Sequence, residues 1–284
     1  MELKNIYDEI IFSAKVDTVR ELVMAAVAKG ADLRCINLRG ADLRDVDLRC
    51  ARLSGSNLSG ACLRGANLSD AELQHANMSG ADLCQVRLRC ANLGNANLRD
   101  ADLCCADLSG GNLSRVVLLG AKLHHANLSH ANLRGANLCD ADLCRTNLNE
   151  SNLTASEMLG AKLSGAELHK ANLSRANLVH ADLSEANLSG ANMSRASLVH
   201  ANLVRANLSG ANLLYSDMSK ANLREVDLHD VDLGKANLSG TDMGHTALRS
   251  RMEGDALPNE AAVMDRAELR RSKGIHAHGN TNGY

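Results

Sequence analysis

The sequence predicts an all-β solenoid rather than a globular domain with a conventional core. From residue 31 to residue 250 the chain consists of 44 pentapeptides of the general form Ala-(Asp/Asn)-Leu-x-x, with no insertion or slip of register. Leu occupies the central position in 39 units and Met in the other five. Aromatic residues make up only 1% of the chain, so the core must be narrow and regular. A period of five fits neither an α-helix nor a long β-strand, but it fits a chain that turns a corner every five residues.

Four sides of five residues would close a square coil of 20 residues, with the central Leu and the small residue two positions earlier pointing inward. That small residue is Ala in 30 of the 44 units. The repeat then makes about 11 coils, and a strand-like spacing of ~4.8 Å gives a rod roughly 50 Å long. Burying each Leu contributes ~1.5–3 kcal/mol before the entropy cost. Ala beside Leu leaves no interior room for a ligand, which argues against an enzyme.

Stacking at a 20-residue interval also aligns a column of Asn on one side. Such a column can share amide hydrogen bonds along the rod, as Asn ladders do in other stacked β structures. We therefore expect a structural ladder, not a site, at Asn92, Asn112, Asn132, Asn152, Asn172, Asn192 and Asn212.

The repeat resembles the pentapeptide-repeat family. Besides the central Leu and the small residue, 33 of the 44 units carry Asp or Asn directly before the central residue. The likeness extends over about three quarters of the chain. The resemblance implies that residues 31–250 form a right-handed quadrilateral parallel β-helix.

Residues 1–30 lie outside the repeat and are predicted to form a helical cap. Thr18 and Glu21 have the spacing of a capping box, and apolar residues follow at helical spacing up to Gly30, a suitable helix terminator. We predict a helix over residues 17–29 and a shorter helix or strand around Ile6–Ala14. A solenoid needs such a cap because its end otherwise exposes a cross-section of the core.

Residues 251–284 also lie outside the repeat. Pro258 followed by residues 259–273 predicts a moderately amphipathic helix that ends at Gly274, and the remaining tail is predicted to be disordered. We expect the helix to cover the last coil, although pairing with its copy in a dimer is compatible with the same pattern.

Composition narrows the class of protein. The chain has 31 Lys and Arg against 33 Asp and Glu, so no net field attracts nucleic acid or an anionic membrane. No apolar run approaches the ~18 residues that span a bilayer, and the first 30 residues lack the order of a signal peptide. Nine Cys show no disulfide framework. We therefore expect a cytoplasmic protein without a cofactor.

Cys and His cluster on one side of the predicted rod. The two-by-two patch of Cys104, Cys105, His124 and His125 has a topology that suits zinc, which favours sulfur and nitrogen ligands. Residues on one straight column ~4.8 Å apart cannot surround an ion tetrahedrally, and Cys also suits exposed turns in a reducing compartment. We predict no metal site and regard these four residues as the candidates to examine.

On a second side the position after Leu is apolar in five consecutive coils, where Ser or Arg is the usual occupant. We call this column the apolar ridge: Leu119, Cys139, Leu159, Val179 and Val199. A contiguous apolar ridge on a soluble rod commonly marks a partner surface. The alternatives are that these side chains simply suit the turn, or that the C-terminal segment covers them.

Two sets of basic residues offer contacts to phosphate. One outward column carries Arg115, Arg175, Arg195, Tyr215 and Lys235. The first coil is ringed by Arg34, Arg39, Arg44 and Arg49. Acidic residues beside this ring predict local neutralisation: Asp32, Asp42, Asp45 and Asp47. We therefore expect no direct binding of nucleic acid.

The sequence favours a non-catalytic rod or scaffold that binds a protein, either another protein or a second copy joined through an end or the apolar ridge. The resemblance implies an alternative, because some members of the family mimic duplex DNA and bind DNA gyrase or related topoisomerases, conferring quinolone resistance or toxin immunity. Those members commonly carry Phe at central positions, and mimicry needs a strongly negative rod. This repeat has no Phe and holds 23 acidic and 22 basic residues.

A supercoiling assay with DNA gyrase separates these two functions. Because a near-neutral repeat cannot imitate a phosphate backbone, we expect the added protein neither to inhibit supercoiling nor to protect gyrase from a quinolone. Inhibition or protection would instead establish the DNA-mimic function.

Overall fold

The repeat winds into a rod whose successive turns pair in parallel at intervals of 20 residues. The computed structural model describes residues 1–226, 228 and 230–244. Over this part, parallel bridges keep the same interval from the pair Asn37 and Asn57 to the pair Asn222 and Asp242. One coil therefore contains four pentapeptides, as the period suggested. The helix and tail predicted within residues 251–284 lie outside the described residues.

The rod has four sides, and each side contains one pentapeptide from every coil. We number the sides from the first coil: side 1 begins with residues 31–35, side 2 with 36–40, side 3 with 41–45 and side 4 with 46–50. Each side continues at every twentieth residue. Outward residues on one side therefore form straight columns along the rod.

Backbone hydrogen bonds between neighbouring coils hold the rod together. In a representative unit the Leu38 N–H donates to the Asn57 carbonyl at 2.8 Å, and the Asn57 N–H donates to the Ile36 carbonyl at 2.8 Å. The Gly40 N–H donates to the Ser59 carbonyl at 2.9 Å. The pattern recurs on all four sides, so each coil satisfies the backbone groups of its neighbours.

Each corner of the coil is a turn that contains a left-handed residue. Every fifth residue from Cys35 to Gly240 has a φ between 54° and 70°. The next residue closes the turn, as when the Ala41 N–H donates to the Leu38 carbonyl at 3.1 Å. A type II turn requires such a positive φ at its third position. Only thirteen of these corners are Gly, and left-handed backbone costs other residues ~1–2 kcal/mol each, which the bonds between coils must offset.

The Leu and Ala columns form the core. Central residues from Leu43 to Leu233 are at most 1% exposed. The Ala, Val, Ser and Thr side chains two positions earlier, from Val46 to Thr241, are at most 8% exposed. Gly111 in the same position is also buried. The prediction that these two columns point inward is therefore confirmed.

The Asp/Asn column has a role in the turn that the periodicity did not predict. The Asn152 Oδ1 accepts a hydrogen bond from the Thr154 N–H at 3.1 Å, and the Asp102 Oδ1 accepts one from the Cys104 N–H at 3.1 Å. Asn and Asp favour such turns because their short side chains reach the backbone two residues on. The expected Asn ladder is partly present, since amide bonds of 2.9–3.4 Å join four of the six neighbouring pairs in the described column.

The N-terminal segment packs on the first coil as a hairpin followed by a helix. Strand β1 (Glu2–Lys4) pairs antiparallel with β2 (Ile10–Ser13), and helix α1 (Val19–Ala28) follows. The segment is thus only partly helical, because the element predicted around Ile6–Ala14 is the strand β2. The two strands pair over only three residue pairs. The bridge between Asn5 and Ile36 extends this pairing onto the first coil.

Helix α1 begins with the predicted capping box. The Thr18 side chain accepts the Glu21 N–H, and the Glu21 side chain accepts the N–H of Thr18. Leu22 and Val23 are buried against the core, and an antiparallel bridge joins Asn5 to the first coil. Among the described residues, no helix combines the length and apolar character needed to cross a membrane.

Four buried Ser in the small-residue column carry hydroxyls that find no hydrogen-bond partner among the described residues: Ser56, Ser151, Ser156 and Ser216. A buried hydroxyl left unsatisfied costs about 1–3 kcal/mol. We expect Ser156→Ala, which introduces the usual residue of this column, to raise the free energy of unfolding by about 1 kcal/mol. Guanidinium titration followed by circular dichroism measures the change.

Thr146 provides the matched control, because its buried hydroxyl donates to the Leu123 carbonyl at 2.8 Å. Thr146→Val keeps the side-chain volume and removes this bond, so it should lower the free energy of unfolding by about 1 kcal/mol. A destabilised Ser156→Ala variant would show that the Ser156 hydroxyl is satisfied in solution.

Candidate functional site

The apolar ridge lies on side 2 as one continuous column. Corner N–H groups donate to the carbonyls of ridge residues in the next coil, from Asp140 to Leu159 at 2.9 Å and from Gly160 to Val179 at 3.0 Å. These bonds keep the ridge residues of successive coils in line. The structure therefore brings together all five residues of the predicted ridge: Leu119, Cys139, Leu159, Val179 and Val199.

The ridge is most exposed at its centre. Leu159 is 43% exposed, and within the described repeat it shares this exposure among large hydrophobic side chains only with Tyr215. The other four ridge residues are half-buried. Val117, also half-buried, precedes Leu119 by two residues and widens the apolar surface at one end.

The ridge interrupts the local turn bonds of its side. Asn137 and Asn177 still accept the N–H groups of Cys139 and Val179, at 3.1 and 3.3 Å. At the other three ridge positions the residue two places earlier is neither Asn nor Asp: Val117, Glu157 and Ser197. The idea that ridge residues merely suit the turn therefore explains little, because the turn has lost a stabilising side chain at three of five positions.

Two stacked imidazoles border the ridge, a feature that sequence reasoning missed. The rings of His180 and His200 lie with their centroids 4.9 Å apart and their planes within 9°. They occupy the corners next to Val179 and Val199. Their separation by 20 residues was the available signal. A flat ring pair beside apolar side chains adds contact area together with polar ring atoms for a partner.

The Cys and His patch lies on side 3. The Cys104 Sγ lies 2.9 Å from the His124 Nε2 and 3.1 Å from its Nδ1. Cys105 and His125 occupy the adjoining corner, and the rings of His124 and His125 meet edge to face with centroids 6.0 Å apart. Within the described part of the chain, no group of three or more His, Cys, Asp or Glu is arranged to hold a metal ion.

Burial favours the protonated form of three thiols on this side. Burial, with a contribution from Asp102, raises the pKa of the Cys104 thiol to about 12. Burial also raises the pKa of Cys84 and of Cys144. Because the thiolate is the form that attacks electrophiles and binds zinc, these side chains are poorly suited to either role at neutral pH.

The Arg ring of the first coil is largely neutralised, as predicted. Ion pairs join Arg to the Asp two residues earlier at three positions: Arg34 with Asp32, Arg44 with Asp42, and Arg49 with Asp47. Hydrogen bonds from the guanidinium groups are the main reason that the pKa of Asp32 and that of Asp42 fall to about 2. Most of the charge of this ring is therefore balanced within the first coil.

A cavity of about 740 Å³ lies between β1, the start of α1 and side 2 of the first coil. The sequence did not predict it, because it arises where the cap packs on the rod. Lys4 pairs there with Asp8 at 3.1 Å, and the Thr18 hydroxyl accepts the Glu21 N–H at 3.1 Å. Both contacts lie within the N-terminal segment and stabilise it internally. The described lining contains no nucleophile paired with a base.

Comparisons with known proteins agree with the geometry. The profile of the family described as pentapeptide repeats matches this chain in overlapping stretches from residue 25 to residue 240. No curated protein matches the sequence significantly.

Three solved structures illustrate the likeness. The chain is similar to HetL, a pentapeptide repeat protein involved in heterocyst differentiation regulation from the cyanobacterium Nostoc, with 33% identity over 82% of this chain and 100% of HetL and a TM-score of 0.52. It is similar to QnrB1, a plasmid-mediated fluoroquinolone resistance protein, with 20% identity over 66% of this chain and 92% of that chain and a TM-score of 0.45. Rfr23 from the cyanobacterium Cyanothece shares 34% identity over 36% of this chain and 63% of its own, with a TM-score of 0.24.

The profile match spans well over half of the chain, and the match to HetL covers that protein in full. The family and its solved members indicate that the rod is a right-handed β-helix solenoid. The chain belongs to the pentapeptide-repeat family.

Proposed function

We propose that this protein is a non-catalytic cytoplasmic rod that binds a protein partner through the apolar ridge of side 2. The observation that carries the proposal is the alignment of five apolar side chains in successive coils, with Leu159 43% exposed at the centre. An exposed apolar column loses contact with water when a partner covers it, and this burial drives association.

The interior of the rod supports a role in binding rather than in catalysis. Leu and Ala fill the space between the four sides, so the described part of the repeat has no internal cleft in which to enclose a substrate. The similarity to HetL, which is involved in regulating heterocyst differentiation, supports a regulatory role exercised through contact. Outward side chains are then the means of recognition.

The shape of the ridge favours a partner with a complementary apolar groove or helix face. Five positions at ~4.8 Å intervals span roughly 19 Å, which matches about three and a half turns of a helix. The imidazoles of His180 and His200 border this surface beside Val179 and Val199 and can supply hydrogen bonds at its rim. A second copy of the chain is an alternative occupant of the same ridge.

The gyrase-directed alternative receives no support from the distribution of charge. A mimic of duplex DNA must present carboxylates in place of phosphates, whereas side 1 has none between residues 91 and 215. The likeness to QnrB1 concerns the fold alone.

Polar substitution of the ridge tests the proposed function. We expect the triple variant Leu159→Ser, Val179→Ser, Val199→Ser to lose at least about tenfold in partner affinity, because hydrophobic contacts at the centre of an interface dominate binding. Affinity capture from source-cell lysate with quantitative mass spectrometry identifies proteins that depend on the ridge. Sedimentation velocity of the purified chain reports self-association.

The matched control substitutes a half-buried apolar residue on the neighbouring side 3, Val204→Ser. This control should retain both the partner and the oligomeric state of the unaltered chain. Equal capture and equal sedimentation for the control and the ridge variant, both folded by circular dichroism, would show that the ridge is not the binding surface.

A further inference from the structure

Side 1 carries positive charge without a carboxylate over seven successive coils. Between residues 91 and 215 its pentapeptides contain no Asp or Glu, and they contain four exposed Arg: Arg115, Arg134, Arg175 and Arg195. Each of the other three sides carries at least four carboxylates over the same coils. The rod therefore has one basic side although its net charge is close to zero.

These Arg are unpaired, in contrast to those nearer the N-terminus on the same side. In the first coils Arg34 pairs with Asp32, and Arg52 lies 3.9 Å from Glu72. None of the ion pairs among the described residues involves Arg115, Arg134, Arg175 or Arg195. The change from paired to unpaired Arg follows the point at which Asn replaces acidic residues in the adjacent column.

Most residues between the Arg positions of side 1 are small and polar, and the Asn side-chain oxygens among them already accept hydrogen bonds. The Asn112 Oδ1 accepts both the Ser114 N–H at 3.2 Å and the Asn132 amide at 3.3 Å. Asn152 accepts the Thr154 N–H in the same way. Each amide retains donor capacity, since its nitrogen carries two hydrogens. The free amide hydrogens of Asn, together with the exposed Arg, favour an anionic partner on side 1.

Tyr215 lies between Arg195 and Lys235 in the same column. The Arg195 guanidinium lies 5.7 Å from the centre of the Tyr215 ring, and the Lys235 Nζ lies 5.2 Å from it. The Lys235 Nζ also donates to the Tyr215 hydroxyl at 3.4 Å. Cation–π contacts of this kind restrain long basic side chains, so Arg195 loses less conformational freedom when it binds an anion.

Carboxylates on the adjoining corners and sides are themselves engaged. Glu150 lies 3.5 Å from the His130 ring. Glu157 accepts the Asn177 amide at 2.8 Å, and Asp217 accepts the Asn237 amide at 3.0 Å. These groups border side 1 without pairing to its Arg, and they limit how wide an anionic partner the side can accept.

We infer that side 1 between Asn92 and Tyr215 binds an acidic helical segment of a partner protein, laid along the rod. From Arg115 to Arg195 the cations span four coil spacings, roughly 19 Å. A helix of about 13 residues covers this length, and its turns recur every ~5.4 Å, close to the spacing of the coils. Arg115 and Arg134 lie in neighbouring coils, as do Arg175 and Arg195, so carboxylates one turn apart can meet each of these two pairs. This surface is separate from the apolar ridge.

The density of charge favours an acidic helix over duplex nucleic acid. A duplex carries one charge per ~1.7 Å, or about 11 charges over the same length, and side 1 offers four Arg. A helix with one acidic residue per turn carries about four. The faces of the Tyr215 ring are also occupied by Arg195 and Lys235, which leaves them unavailable for stacking on a base.

Fluorescence anisotropy with the full chain tests the inference. The probe is a labelled alanine-rich helix of about 15 residues with four Glu on one face, and its comparison peptide has the same Glu distributed around the helix. We expect the one-faced probe to bind about tenfold more tightly at low salt. The variant Arg175→Ser, Arg195→Ser should weaken that binding about tenfold.

The control Arg145→Ser, Lys162→Ser removes the same charge from side 3 and should change the affinity by less than about twofold. The ridge variant should bind the probe normally, so this result is independent of the proposed function. Equal loss in both charge variants, equal binding of the two peptides, or tighter binding of a 20-base-pair duplex than of the probe would each overturn the inference.

Discussion

The hydrogen bonds between coils are the constraint on which the rest of this molecule depends. Each unit must present its N–H and carbonyl groups to the coils on either side, and it can do so only if the chain turns through a corner every five residues. The corner in turn requires a residue with a left-handed backbone. Gly40 adopts this conformation easily, but Asp45 and Cys50 adopt it as well. Most corners therefore carry the conformational cost of a left-handed residue other than Gly, and the bonds between coils must offset it.

Once the corners are fixed, the remaining positions divide into two classes with different freedom. Residues such as Leu63 and Ala66 are buried and must match the narrow interior. Outward residues contact solvent, their column neighbours and nearby residues of their own side. This division explains why a chain with such a uniform core can carry an apolar ridge on one side and a basic surface on the next.

Sequence reasoning reached the features that depend on spacing. It predicted the inward columns, the 20-residue coil, the capping box of Thr18 and Glu21, and the neutralisation of the first Arg ring. Each follows from local chemistry repeated at a fixed interval. The five residues of the ridge were also placed in one column, because register alone decides which outward residues are neighbours.

Other features depended on three-dimensional geometry that spacing does not specify. Many corner positions are occupied by residues such as Arg175, Glu185 and His200, whose side chains do not indicate a left-handed backbone. The turn bond of the Asp/Asn column was missed because stacking suggested a bond between coils instead. The hairpin of β1 and β2 lacks a clear alternating pattern, and the cavity beneath it exists only where the cap meets the rod. The unpaired state of the side 1 Arg required knowing the distance to each carboxylate.

The uninterrupted register has a consequence for how such a rod can change. Insertion or removal of a single pentapeptide would preserve the Leu core, yet it would shift every later column by a quarter turn. A change of this kind between Leu119 and Val199 would divide the ridge, now continuous on side 2, between two sides. Only changes of four units at a time keep the surfaces aligned. The surfaces of this protein can therefore diverge residue by residue, whereas its length can change without disrupting them only in steps of a whole coil.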